Sequence, residues 1–200
     1  IFKHFNGNIK DKIFTIWGVS FKPNTDDIRE APSITLVDEI VNAKGIVHFY
    51  DPVANSHFLE YMREFYKDNP EAFKRIRKFE NKYDSINDAD ALVVLTDWSE
   101  FKAPDFMEIK MRLKNAVLFD SRNLYSTARV LETGFTYYAM GKNIPVTDSY
   151  YASRMAENNS TVKELNKQIF EREHSIDGNS NHESRESLLQ DKNWINSTQL

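Results

Sequence analysis

The run from Ile13 to Val19, IFTIWGV, contains almost no polar side chain. A strand with one solvated face alternates apolar and polar residues. A strand without that alternation needs cover on both faces, as in a parallel sheet flanked by helices. We take the first strand as Lys12 to Phe21. The next apolar residues, Ile34, Val37, Ile40 and Val41 with Leu36 beside them, recur at helical spacing, so Ser33 to Ala43 is expected to be a helix. Gly45 is an end signal. Ile46 to Tyr50 is a second strand, closed by Asp51-Pro52. Strand, helix and strand within about forty residues make a βαβ unit with a right-handed crossover.

The alternation continues. Phe58 to Phe79 is expected to be mostly helical, broken at Asn69-Pro70 and resuming at Ala72. Ala89 to Thr96 (ADALVVLT) is a buried strand, Pro104 to Leu113 a helix and Ala116 to Phe119 a strand. Thr127 to Glu132 is a helical turn and Phe135 to Met140 a final strand. This pattern predicts an α/β fold, a Rossmann-like, doubly wound parallel sheet. Its expected domain is 12–142, with 1–11 as the end of a preceding linker or helix whose Phe2 and Phe5 pack on a helix. From Asn143 the apolar runs vanish. Residues 143–200 are expected to be a polar, mobile tail with one amphipathic helix near 161–173, where Thr161 and Glu164 have capping-box spacing.

Composition excludes several functions. A net charge of −4 argues against a nucleic-acid surface. The chain has no cysteine, hence no disulfide, thiolate metal site or cysteine nucleophile of its own, which suits a reducing, cytoplasmic setting. No apolar run approaches the roughly 20 residues that span a bilayer, and no signal peptide is visible, so no membrane role is expected. The histidines show no ligand spacing and no metal is expected. The sequence begins at Ile1 rather than Met, and a fragment of a longer protein is expected.

Between the first strand and first helix lies FKPNTDDIREAPS, which holds Lys22, Asp26, Asp27, Arg29 and Glu30 within nine residues. Pro23 biases Lys22 toward extended backbone, and Pro32 suits a first helical turn. Lys22 and Arg122 both fall just past the carboxyl end of a strand, where ligands bind in open α/β sheets. Two cations converging there suit a diphosphate. The other reading pairs each with a nearby acid, Asp120 for Arg122 and Asp26 for Lys22. Asp26 and Asp27 are expected to order the loop or orient its cations rather than act as catalytic carboxylates. Asp51 ends the second strand, where a dinucleotide fold places a ribose ligand, but the first loop has no Gly-x-Gly-x-x-Gly. Asp51-Pro52 therefore counts as a turn.

The segment FKPNTDDIREAPS closely resembles the opening motif of the C-terminal domain of the UDP-glucose/GDP-mannose dehydrogenase family, in the form of its UDP-glucose 6-dehydrogenase branch. FDSRNLYS resembles that family's Asp-Gly-Arg-Asn segment, with Ser121 in place of the glycine. YDPVA, DALVVLTDW and GFTYYAMGK match in place and kind, so the resemblance spans roughly 12–142. It implies that Phe21, Lys22 and Arg122 contact a UDP-sugar and that Arg29 reaches NAD. It implies a protein that oxidises the sugar's C6 alcohol to a carboxylate with two NAD, using a cysteine and an N-terminal NAD-binding domain that lie outside this chain, and that pairs as a homodimer. The chain alone is then expected to be inactive. A dehydrogenase of UDP-N-acetylhexosamine or GDP-mannose, and a non-catalytic nucleotide-binding or dimerisation module, are the alternatives.

Overall fold

The computed structural model describes residues 1–141 and residue 164. The chain divides into two units, Ile1–Tyr151 and Ala152–Leu200, and the description below concerns the first. The tail helix expected over 161–173 lies outside the described residues except for Glu164, which is helical.

Strands β1 (Ile13–Trp17), β2 (Ile46–Tyr50), β3 (Ile76–Lys78), β4 (Ala91–Val94), β5 (Val117–Asp120) and β6 (Thr136–Ala139) form one sheet in the order β3-β2-β1-β4-β5-β6. Every pairing is parallel. Helices α1 (Pro32–Asn42), α2 (Asn55–Phe65), α3 (Pro70–Phe73), α4 (Phe106–Arg112) and α5 (Thr127–Glu132) make the connections, except that β3 reaches β4 through a 3-10 turn at Asp84–Ile86. The doubly wound parallel sheet is the fold that the apolar runs require.

Side chains alternate between two cores, one on each face. Phe14 and Ile16 of β1, Val47 and Phe49 of β2, and Ala91 and Val93 of β4 join Val37, Ile40, Phe58 and Met62 from α1 and α2. Trp17, Leu92, Val94, Leu118 and Tyr137 face the other way, onto Ile109 of α4 and Val130 of α5. Each such large apolar side chain contributes about 1.5–3 kcal/mol by leaving water. Pro32 opens α1 without a side-chain cap. Asp105 caps α4 by accepting from the Met107 and Glu108 amides, satisfying donors that a helix start leaves orphaned.

Three expectations change. Residues 72–79 do not resume a helix: α3 ends at Phe73 and the chain extends into the edge strand β3. Its residues Ile76, Arg77 and Lys78 pair with Val47, His48 and Phe49. Only Ile76 of the three is buried, so the strand carries no apolar run to announce it. Secondly, β1 ends at Trp17, not near Phe21. Gly18 takes φ 84°, and a Cβ there would stand 2.5 Å from the Thr96 Cβ. The backbone turns where two strand tips come too close for any side chain. Thirdly, of the two aromatics expected to pack, Phe5 joins a core built from both strands and helices while Phe2 is 36 % exposed. Phe5 sits edge-on against Phe14, and the His4 ring meets the Tyr138 hydroxyl at 2.6 Å.

Candidate functional site

Strand order reverses between β1 and β4, the switch point where open α/β sheets bind ligands beyond the strand ends. The strands there end almost level. Trp17 lies beside Tyr50 and Val94, and Val94 beside Asp120. The loops after β1, β2, β4 and β5 therefore meet.

The loop after β1 is built from within and from below. The Phe21 amide donates to the Asp27 carbonyl at 2.8 Å, closing residues 21–27 into a ring. Ile28 and Ala31 are buried beneath it. Asn24 and Glu30 take φ 62° and 56°, left-handed conformations that Asn accepts readily and Glu does not. Below, the Asp51 carboxylate is 1 % exposed. Its Oδ2 accepts from the Val19 amide at 2.9 Å, the Ser20 amide at 3.1 Å, the Ser20 hydroxyl at 3.0 Å and the Trp98 indole at 3.1 Å. Its Oδ1 accepts from the Val53 and Ala54 amides at 3.0 and 2.8 Å. With both oxygens engaged, Asp51 offers nothing to a ribose. The chain's own first loop, without a glycine cradle, does not fit a dinucleotide.

The loop after β5 hangs on Asp120, 2 % exposed. Its carboxylate accepts from the amides of Arg122 at 2.9 Å, Leu124 at 2.7 Å and Tyr125 at 3.2 Å, and from the Tyr137 hydroxyl at 2.8 Å. Burial and then the Asp120 hydrogen bond push the Tyr137 hydroxyl far above its ordinary pKa, so it stays a donor. Ser121 makes two bonds to the Val94 carbonyl, from N at 3.1 Å and Oγ at 2.9 Å. The left-handed residue of this turn is Asn123, φ 52°, so the turn does not depend on a glycine at Ser121.

The Arg122 guanidinium is exposed and is not paired with Asp120. Its Nε donates to the Leu95 carbonyl at 2.7 Å and one terminal nitrogen to the Phe21 carbonyl at 3.2 Å. It thus bridges the β5 tip, over β4, to the peptide joining Phe21 and Lys22. Among the described residues neither Lys22 nor Arg122 is in an ion pair with an acid. Phe21 is 48 % exposed, large for an apolar ring. The structure brings Phe21, Lys22 and Arg122 to one place.

Arg29 behaves differently. It grips Asp27 with two parallel bonds, Nε to Oδ1 at 2.9 Å and a terminal nitrogen to Oδ2 at 2.7 Å, on a side chain 86 % exposed. The Arg29 side chain, then its amide, hold the Asp27 carboxyl well below the usual carboxylate range. Asp27 orders its loop and orients a cation, as the sequence suggests. His57, on α2, reaches the Asp26 carbonyl through Nδ1 at 3.0 Å. His57 does not stand out in sequence, whereas Trp98, in the segment DALVVLTDW, is read from the sequence as core or pocket wall and is buried. Among the described residues no group of three histidines or acids could hold a metal, and no helix is long and apolar enough to cross a membrane.

Comparison with known proteins shows the family and the fold. The model of the UDP-glucose/GDP-mannose dehydrogenase family, UDP binding domain, matches residues 15–127. A UDP-glucose 6-dehydrogenase of Pseudomonas aeruginosa is 37 % identical over 138 residues, covering 69 % of this chain and 29 % of that protein. One from Rhizobium meliloti is 34 % identical over 136 residues, 68 % of this chain and 29 % of the relative. The chain therefore spans under a third of the length of these relatives. Among solved structures, a UDP-D-ManNAc dehydrogenase from Pyrococcus horikoshii superposes with TM-score 0.52 at 24 % identity, over 70 % of this chain and 28 % of that one. An NDP-N-acetyl-D-galactosaminuronic acid dehydrogenase from Methanosarcina mazei gives 0.53 at 20 %, over 70 % and 27 %. Both share the fold.

Proposed function

Since the chain belongs to the UDP-glucose/GDP-mannose dehydrogenase family through that family's UDP-binding domain, we propose that it is the UDP-sugar-binding, C-terminal part of a UDP-glucose 6-dehydrogenase-like enzyme. Lys22 and Arg122 grip the diphosphate and Phe21 walls the site. The observation that carries this reading is the Arg122 bridge: a guanidinium held by the Leu95 and Phe21 carbonyls while Asp120 is occupied with amides. Two carbonyl acceptors orient the planar cation without neutralising it, so its charge remains for a phosphate.

The protein's reaction is NAD-dependent oxidation of UDP-glucose to UDP-glucuronate. This chain has no cysteine to hold a covalent intermediate, and its first loop does not fit NAD. Its contribution is to position the reacting carbon against groups supplied elsewhere. Arg29, the exposed cation of the first loop, is the side chain that reaches NAD held by the N-terminal domain. In the full-length protein that domain is the partner, two copies pair, and the enzyme works in the cytoplasm. Domain 12–142 carries the binding and 143–200 is an appended tail.

Calorimetric titration with UDP tests this. Arg122→Ala is expected to weaken UDP binding about 10- to 100-fold, the loss of one charge-assisted contact, with the unfolding midpoint nearly unchanged. A large fall in stability with unchanged UDP affinity overturns the assignment. GDP in place of UDP, binding as tightly, sends the reading to the GDP-mannose branch.

A further inference from the structure

We propose that Ser20 is a positioning residue that fixes where Lys22 stands, acting through a bond net shared by three strand tips; the proposal rests on the reading of Lys22 as a phosphate-gripping cation. Ser20 is 3 % exposed and each of its polar groups is engaged. The amide and hydroxyl both donate to Asp51 Oδ2, at 3.1 and 3.0 Å. The hydroxyl accepts from the Trp98 indole at 3.2 Å. The carbonyl accepts from the Thr96 hydroxyl at 2.7 Å. Asp51 follows β2, while Thr96 and Trp98 follow β4. One residue of the β1 loop is thus pinned from both neighbouring strands.

The pinning continues outward. The Phe21 amide donates to the Asp27 carbonyl and the Phe21 carbonyl accepts from Arg122. Every backbone polar group of residues 20 and 21 is bonded, and the next side chain is the exposed Lys22. A lysine is a compact charge on a flexible stem with much rotamer freedom. A mobile base would add backbone freedom to the cost of gripping a phosphate, whereas a fixed base confines that cost to the side chain. Ser20 occupies the point where the fixed core passes into the exposed loop. The hydroxyl is also the part of the net that can be removed with least damage. Without it the Trp98 indole still donates to Asp51 at 3.1 Å, and the Ser20 amide keeps its bond.

The test is a double-mutant cycle on UDP affinity, with thermal unfolding alongside. Ser20→Ala is expected to weaken UDP binding about fivefold and Lys22→Ala about tenfold. The double variant is expected to bind no more weakly than Lys22→Ala alone, because residues acting through one another are not additive. A fivefold loss from Ser20→Ala that persists in the Lys22→Ala background overturns the proposal, since the serine then acts on the domain at large. So does Ser20→Ala binding UDP like the parent. If Lys22→Ala itself leaves UDP affinity unchanged, the phosphate grip is what has failed, and the proposal falls with it. Should Ser20→Ala not fold, Trp98→Phe removes the neighbouring donor of the same net. Its loss of affinity must likewise vanish when Lys22 is alanine.

Discussion

The loops after β1 and β5 leave the same edge of the sheet, and each is fastened to a buried aspartate, yet the fastening differs. Asp120 ties its own loop: three amides from residues 122–125 and one tyrosine hydroxyl converge on it. Asp51 ties two loops, its own through Val53 and Ala54 and its neighbour's through Val19 and Ser20, with Trp98 added. The β5 loop is therefore gathered mainly around its own aspartate, with Ser121 tied to Val94 and Arg122 to Leu95 and Phe21. The β1 loop is held by its own Phe21–Asp27 bond and also by residues that follow β2 and β4. Both carboxylates are taken up by N–H and O–H donors, and among the described residues neither Lys22 nor Arg122 is in an ion pair with an acid. The Asp27–Arg29 pair, in which the arginine side chain is 86 % exposed and the aspartate half-buried, shows the opposite outcome for a neighbouring acid and base.

Removing the two carboxylates tests that contrast most severely. Asp51→Ala abandons six bonds and is expected to cost about 4–5 kcal/mol. Asp120→Ala abandons four and should cost about 3 kcal/mol. Urea denaturation gives both values. A larger loss at Asp120 would break the claim that the shared anchor matters more.

A smaller effect comes from Gly18, which bears on the β1 side alone. Gly18→Ala places a methyl against Thr96 at a positive φ, for about 2 kcal/mol in all. The Arg122 turn should keep its amide-exchange protection while residues 19–28 lose theirs. Equal loss in both loops would show that they are one unit.

The smallest effect belongs to Asp27. Its pKa is depressed in the folded chain, so the pair's contribution is complete above the unfolded value of 3.8 and is lost as pH falls through the lower folded value. With the Arg29 side chain exposed, the pair should barely move the unfolding midpoint. An NMR titration should show the Arg29 Nε–H shifting only well below pH 4. A shift centred on the ordinary carboxylate range would mean that the pair does not order the loop.

Much of the architecture was legible because apolar periodicity reports burial directly. The run from Ile13 to Val19 reads as a strand covered on both faces, and the spacing of Val37, Ile40 and Val41 as a helix against it. Strand β3 escaped, since an edge strand of three residues with one buried side chain leaves no period to see. Lys22, Arg122 and Phe21 were legible as residues past strand ends or through motif resemblance. Ser20 was not, because nothing in a sequence marks a serine as buried, and Trp98 was legible as core or pocket wall but not as a donor to Asp51.

By itself the sequence determined the layered parallel sheet, the edge at which its charged loops emerge, and the family motif they carry. Those properties depend on the order and period of residues along the chain. The tertiary structure alone decided which acids were already occupied. Asp51 and Asp120 could have faced a ribose or a guanidinium. The level ending of β1, β2, β4 and β5 instead brings backbone amides within 3.2 Å of each carboxylate. A buried carboxylate takes whatever donors surround it, and those donors come from parts of the chain up to 47 residues away. No local pattern records a distance of that kind.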